Sequence, residues 1–465
     1  MSVRSRLAAA SMVAAAGLVW PAAAMAHGLT ARADLPLPAW LFGWGAAVVL
    51  IVSFLALAVL WPKPKLEDAG HRTVGFLRFL TSRPVDVMCG TAGVAVLALV
   101  VYAGFAGSQN PSSNIAPVIV FVLFWVGFVP VSVLFGNVFS AFNPWRAIGR
   151  VLFREARRPY PVRLGRWPAA LVLLAFTTFE LAVRRASAPE KVAEATVVYT
   201  IVTLVAMAIW GVETWIERGE GFAVYFDLFS RMAPFGRVGD DIVVRVPLAG
   251  LPRLVPYPGT TVVVAVMIGS LTYDGAAEAG FYQRFANAFR DVGDAIGLDE
   301  VGQAELAAFL GLVGCIAVVL GLYGIGCYGA SRIDRATTTA SVAGAFAHSL
   351  VPIAFAYVSA HYLTFLLFQG QTIIPLASDP LGHGSDYFGT ADRTIDYGIL
   401  GATATWYLQV ILVVVGHCLA LALAHDRALV LYTSQRDAVR SQFWMLGVMV
   451  AFTSLALFLL SQANA

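Results

Sequence analysis

The feature that most constrains this chain is a series of apolar runs, each long enough to cross a bilayer as a helix. A hydrocarbon core about 30 Å thick needs about 20 helical residues. Of the 465 residues, 59% are hydrophobic and 13% are charged. Ten such runs follow the N-terminal segment, at 38–61, 86–106, 115–135, 167–185, 195–215, 257–273, 306–329, 341–368, 401–424 and 443–461. The pattern predicts an all-α fold, a polytopic transmembrane helix bundle.

The first 26 residues have the composition of a secretory signal peptide. Arg4 and Arg6 precede an apolar run, and Ala24-Met25-Ala26 matches the small-residue cleavage pattern. Cleavage there makes His27 the mature N-terminus. The rest, 27–465, is predicted to be one integral-membrane domain.

The distribution of basic residues tests the number of spans, because Lys and Arg accumulate in loops on the cytoplasmic side. Of the 31 Lys and Arg, 22 fall in alternate loops and only 7 in the loops between them. An even number of spans with both mature termini outside the cytoplasm satisfies this alternation. The loops 274–305 and 369–398 then form an extracytoplasmic cap, where we expect ligand contact. On the cytoplasmic side, the segment Gly221–Phe235 is predicted to be an amphipathic helix in the membrane interface, followed by a short strand over 242–246.

Charge and cysteine content exclude several classes of function. The net charge of +3 gives no sign of a nucleic-acid partner, so the lipid bilayer is the predicted partner. The need for a second subunit is left open. The four cysteines all lie in apolar runs, which predicts no disulfide bond.

One short motif resembles a nucleotide-binding loop. Gly324, Gly326 and Gly329 match the G-x-G-x-x-G spacing, but they lie at the end of a span with no strand before them. Small residues at such spacing predict close approach of two helices instead.

Ionisable groups within the spans are candidates for function, because they are costly in lipid unless they are paired. They are Glu180, Glu213, His348, His361 and His417. With a rise of about 1.5 Å per residue, His348 and His417 lie about 10 Å from the cytoplasmic surface. Glu180 and His361 lie about 10 Å from the outer surface.

These depths suggest an outer metal site. His27, with its free α-amine, His361 and His383 are predicted ligands of a divalent transition metal, zinc or copper, with Glu180 and His361 as catalytic groups. The alternative is a set of hydrogen-bonded side chains without metal. A haem held by His348 and His361 is disfavoured, since the two residues lie about 220° apart around an ideal helix.

Distinctive strings run through nearly the whole mature chain. They are Ala26-His27-Gly28 followed by ADLPLPAWLFGWGAAVVLIVSFLALAVLWP, then SVLFGNVFSAFNPWRAIGR, FAVYFDLFSRMAPFG, AHYLTFLLFQGQ with SDPLG, and HDRALVLY. In these strings the chain resembles a family of bacterial membrane proteins named fenitrothion hydrolase. The resemblance implies a bacterial cytoplasmic (inner) membrane and hydrolysis of a hydrophobic organophosphorus triester with release of a nitrophenol. It brings no residues of known catalytic role.

Two other functions remain open at this point. A permease for a small solute or metal ion would use Glu180, Glu213, His348 and His417 along its path. A copper- or haem-linked redox protein would use the predicted His27 N-terminus and the span histidines.

Overall fold

The chain folds as an all-α helical bundle, as the apolar runs predict. The computed structural model describes residues 39–277, 279–334 and 337–463. Within them, ten helices are long and apolar enough to cross a membrane, which is the character of a multi-pass membrane protein. In chain order α1 to α10 they are Leu41–Leu60, Arg83–Ala106, Ile115–Phe135, Val162–Ala182, Pro189–Trp210, Thr260–Ala277, Glu300–Ser331, Thr339–His361, Ala402–Leu431 and Gln435–Leu459. The predicted signal peptide, 1–26, and His27 lie outside the described residues.

Two of these helices, α6 and α8, form the centre of the bundle. Of the apolar 18-residue stretch in each helix, 78% is buried within the protein in α6 and 72% in α8, against 22% to 44% in the other eight. Helices that are apolar all round and buried by protein form the core of a bundle, whereas the outer helices turn apolar side chains to lipid. Polar groups on α6 and α8 are therefore held inside the protein.

Small residues set the close approach of helices around this centre. A Cβ atom added at Gly416 of α9 would lie 2.2 Å from the Cβ of Ala356 on α8, so the two backbones meet where neither has a large side chain. The prediction for the glycine motif of α7 is confirmed at Gly326, which contacts Met445, and at Gly329, which contacts Trp444. Gly324 has open space around it.

The end of the bundle that carries the arginine-rich loops is here called the inner end, and the opposite end the outer end. A small antiparallel sheet lies at the inner end, with strands β1 (His71–Thr73), β2 (Phe235–Val238) and β3 (Asp241–Arg245) in the order β1-β3-β2. His71 pairs with Arg245, and Phe235 pairs with Val244. A short strand predicted over 242–246 is thus confirmed.

The segment Gly221–Ser230 forms a helix, but its predicted position in the membrane interface is wrong. Nine of its ten residues are buried, all except Asp227. Its phenylalanines pack into an aromatic cluster; the Phe222 ring lies 4.9 Å from that of Phe124, and the Phe226 ring lies 4.9 Å from that of Phe139. A helix that is apolar on every side is buried rather than left half in water.

Short helices complete both ends of the bundle. At the inner end these are Phe139–Phe142, Pro144–Leu152 and Val212–Arg218, and at the outer end they are Gly280–Ala295 and the apolar segment Phe365–Ser378. The first outer loop is shorter than the predicted 274–305, since α6 continues to Ala277 and α7 begins at Glu300. The second is longer than the predicted 369–398, since α8 ends at His361 and α9 begins at Ala402.

Asp426, near the inner end of α9, holds the first inner loop. Its carboxylate accepts hydrogen bonds from the indole N–H of Trp61 at 2.8 Å and from the backbone N–H groups of Lys65, Leu66 and Glu67 at 2.6, 3.0 and 2.8 Å. The carboxylate is fully buried. Four donors offset the cost of burying its charge, so the loop and α9 are fixed to one another.

Candidate functional site at the outer end of the bundle

The outer ends of α4, α6 and α8 bring together a cluster of polar side chains inside the protein. Asp274 lies in the last turn of α6, His361 is the last residue of α8, and Glu180 lies near the end of α4. Tyr362 follows His361 directly. Tyr225 reaches the cluster from the buried helix Gly221–Ser230. We call these five residues the outer polar cluster.

The shortest contact in the outer polar cluster joins a histidine to a carboxylate. His361 Nε2 lies 2.7 Å from Asp274 Oδ2, and the Tyr362 hydroxyl donates to the same oxygen at 3.4 Å. The side chains of His361 and Asp274 are 18% and 28% exposed, so solvent or a ligand can still reach them. A carboxylate on one ring nitrogen fixes the imidazole and stabilises its protonated form.

Glu180 gives the cluster a second carboxylate. It interacts electrostatically with Asp274, with Trp125 of α3 and with the phenols of Tyr225 and Tyr362. Its Oε2 atom is buried and makes no hydrogen bond, and the same holds for the hydroxyl of Tyr225. A buried carboxylate oxygen without a donor costs free energy, so this position has unused capacity for a proton or a polar ligand.

The helix that carries Trp125 is wound unusually beside the cluster. Residues Val118–Gly127 of α3 form a π-helix, and a second π-helical turn, Phe365–Gln369, contacts it. π-helical segments are rare and are frequently found at functional sites. Two of them beside the outer polar cluster support a functional role for this end of the bundle.

The predicted outer metal site is only partly assembled. Glu180 and His361 share one cluster, as their depths suggested, but His27 lies outside the described residues. His383 has its ring exposed in the outer loop, where its backbone N–H donates to Asp379 at 3.0 Å. Among the described residues, no group of three or more His, Cys, Asp or Glu side chains could hold a metal ion. The predicted ligand His27 is not among them.

The two inner histidines are buried singly. His348 Nδ1 bonds to the carbonyl of Ala345 at 2.9 Å, and His417 Nδ1 bonds to the carbonyl of Val413 at 2.8 Å. In both rings Nε2 is buried and has no hydrogen-bond partner. Among the described contacts none joins the two rings, although they lie at similar depth.

Glu213 does not lie inside a span, and that prediction is wrong. Helix α5 ends at Trp210, and the Glu213 side chain is 57% exposed at the inner end, where it accepts hydrogen bonds from Arg146 and Arg150. Partial burial raises the pKa of Glu213, but the hydrogen bonds and charges of the two arginines outweigh it and hold the pKa below its ordinary value. The group belongs to a surface ion network.

The sequence reasoning missed Asp274, Tyr362 and Tyr225. Asp274 was assigned to an outer loop because span six was ended at Tyr273. The small residues from Gly275 to Ala277 continue the helix past it, and that was the available signal. Span eight was extended to 368, whereas α8 ends at His361, so the histidine sits at a helix end and not within a span.

Comparison of the chain with protein-family models, with curated proteins and with solved structures finds no match.

Proposed function

We propose that this protein is a hydrolase of the bacterial cytoplasmic membrane that acts on hydrophobic organophosphorus triesters such as fenitrothion. The observation that carries the proposal is the 2.7 Å contact between His361 Nε2 and Asp274 Oδ2. It supplies an oriented general base where a lipid-soluble substrate would enter from the outer half of the bilayer. The family resemblance supplies the substrate class.

The reaction needs one water molecule and one base. When Nε2–H donates to Asp274, the other ring nitrogen of His361, Nδ1, carries the lone pair that takes a proton from water. The water oxygen bonds to phosphorus as the bond from phosphorus to the aryl oxygen breaks. The nitrophenolate leaves with the electron pair, and the proton on His361 passes to solvent. Asp274 stabilises the imidazolium formed on the way.

Membranes containing the protein should release nitrophenol from fenitrothion, and His361→Ala should abolish the release at equal membrane content. His71→Ala is the matched control, because His71 is exposed in β1 at the inner end. A chelator and His383→Ala test the metal hypothesis: the proposal expects activity to survive both. Full activity in His361→Ala, or no release by the unaltered protein, would refute the proposed site or the proposed reaction respectively.

A proton- or ion-coupled permease is a second candidate, favoured by one specific observation. Buried polar atoms without hydrogen-bond partners occur at the outer end, on Glu180 and Tyr225, and deeper, on His348 and His417. Ionisable groups at successive levels of a bundle are typical of proton and ion paths. Proteoliposomes loaded with a pH-sensitive dye would test it, with Glu180→Gln expected to abolish solute-driven acidification and Glu194→Gln, near the outer end of α5, as the control.

A further inference from the structure

The inner end of the bundle contains a basic cleft that the proposed hydrolysis does not use. The cleft has a volume of about 460 Å³ and lies between the loop before α2, the helix Pro144–Leu152 and the β2–β3 turn. Five arginines line it together with Asp86 and Asp240, and they are Arg78, Arg83, Arg146, Arg150 and Arg237. The lining has more positive than negative charge, so the cleft attracts anions.

The arginines of the cleft differ in how far they are already neutralised. Arg146 and Arg150 form ion pairs with Asp86 and with Glu213, at distances from 2.5 to 3.7 Å. Arg78 lies 3.8 Å from Asp241 at the exposed edge. Arg83 is exposed and, within the described residues, makes no ion pair or side-chain hydrogen bond. Arg83 and Arg78 are therefore the arginines with most remaining capacity to bind an anion.

The backbone beside Arg83 adds to this capacity. Arg83 is the first residue of α2, Ser82 precedes it, and the Ser82 side chain makes no capping bond. Pro84 has no N–H, so the N–H groups of Arg83 and Val85 are the donors at this end of the helix; such groups carry partial positive charge and bind phosphate oxygens well. Ser82 lines the cleft as well and offers a hydroxyl donor, whereas the Thr81 hydroxyl already donates to the carbonyls of Arg78 and Asp240.

Exposed apolar side chains flank the cleft. Phe76 and Phe79, in the short 3-10 helix Gly75–Thr81, are 78% and 60% exposed. Across the cleft, Val151 and Leu152 at the end of Pro144–Leu152 are exposed too. Such side chains insert among acyl chains, which places the basic cleft at the level of the lipid headgroups.

From this juxtaposition we propose that the cleft binds the phosphate of an anionic phospholipid of the inner leaflet, with Arg83 and Arg78 as its ligands and the flanking apolar side chains against its acyl chains. The flanking apolar side chains favour a lipid over a free anion, because inorganic phosphate has no acyl chain to contact Phe76 or Leu152. The arginines select an anionic headgroup over a zwitterionic one.

Native mass spectrometry of the detergent-solubilised full chain tests the proposal, with short-chain phosphatidylglycerol and phosphatidylcholine of equal chain length as probes. Phosphatidylglycerol should bind more tightly, and Arg78→Gln and Arg83→Gln should each weaken it about fivefold. Arg83→Lys should retain most of the affinity, since lysine binds phosphate as a point charge. The matched control is Arg157→Gln, at an exposed position of the same end outside the cleft.

Three results would overturn the proposal. Equal binding of the two lipids removes the selection for charge. Equal weakening by Arg157→Gln and Arg83→Gln shows a diffuse attraction without a site. Displacement of phosphatidylglycerol by inorganic phosphate at comparable concentration shows a simple anion site without a role for the acyl chains.

Discussion

His361 Nε2 and Asp274 Oδ2 lie 2.7 Å apart, although the two residues are 87 positions apart in the chain. The contact joins the last residue of α8 to the last turn of α6. These are the two most buried helices of the bundle, so packing in the core determines the geometry of the pair.

Asp274→Asn should lower the rate of nitrophenol release by about 10²- to 10⁴-fold, because an amide keeps the shape of the carboxylate but does not stabilise the imidazolium. The measurement is kcat in detergent or membranes at equal protein content. Asp437→Asn, a partly exposed aspartate at the inner end, should leave kcat unchanged. Wild-type activity in Asp274→Asn would remove the proposed role of the pair.

Tyr362→Phe should have a much smaller effect on kcat, about fivefold, because it removes a single long hydrogen bond to Asp274. Tyr387→Phe is the control, since Tyr387 is exposed in the outer loop. A loss as deep as that of His361→Ala would mean that Tyr362 contacts the reacting atoms and does not act through Asp274.

Asp426→Asn should destabilise the protein by roughly 3 kcal/mol, because an amide cannot satisfy the four donors that the buried carboxylate accepts. Thermal unfolding in detergent measures the shift, and protease access to the loop 61–67 should rise with it. Asp392→Asn, at an exposed position of the outer loop, should leave the midpoint in place. Equal midpoints for the two variants would show that the loop is held by other contacts.

Gly416→Ala should weaken the packing of α8 on α9, because the added Cβ would meet the Cβ of Ala356 at 2.2 Å. The expected loss is about 1 to 3 kcal/mol, the usual cost of overpacking. Gly321→Ala is the control within α7, where an added Cβ meets open space. There the higher helix propensity of alanine should leave stability equal or slightly higher.

Glu213→Gln should lower stability at neutral pH by less than about 1 kcal/mol, since the carboxylate is more than half exposed and solvent screens its arginine partners. Its pKa is lowered in the folded protein, so the stabilisation is present above its ordinary pKa and is lost as pH falls through the lowered value. The difference in thermal midpoint between the unaltered protein and Glu213→Gln should disappear in acid and decrease with added salt. Glu155→Gln, at an exposed inner-loop position, should show no such difference.

The number and order of the spans could be predicted from the sequence, because lipid requires about 20 apolar residues for each helix and little else. The structure differs from the prediction where a helix is surrounded by protein and not by lipid. The helix Gly221–Ser230 has the composition of an interfacial segment, but the aromatic cluster around Phe124 buries it. No local pattern distinguishes these two environments.

The outer polar cluster could be predicted only in part. Depth along each helix was sufficient to bring Glu180 and His361 to one level, because the rise per residue is fixed. Depth gives no information on which face of a helix turns inward, so the partner of His361 was missed. From sequence alone, a single aspartate near a helix end, such as Asp274, is predicted to lie in a loop. Its place inside the bundle becomes clear only from the packing of α6 on α8.

The bond between Asp426 and Trp61 has a consequence for how the protein is made. It spans 365 positions, so the loop after α1 cannot reach its final conformation until α9 has been synthesised and inserted. Contacts of such long range form late, since the intervening chain must be ordered first. During translation the first span is therefore in the bilayer before its loop has a binding partner. A chain truncated before α9 should be cleaved readily by membrane proteases.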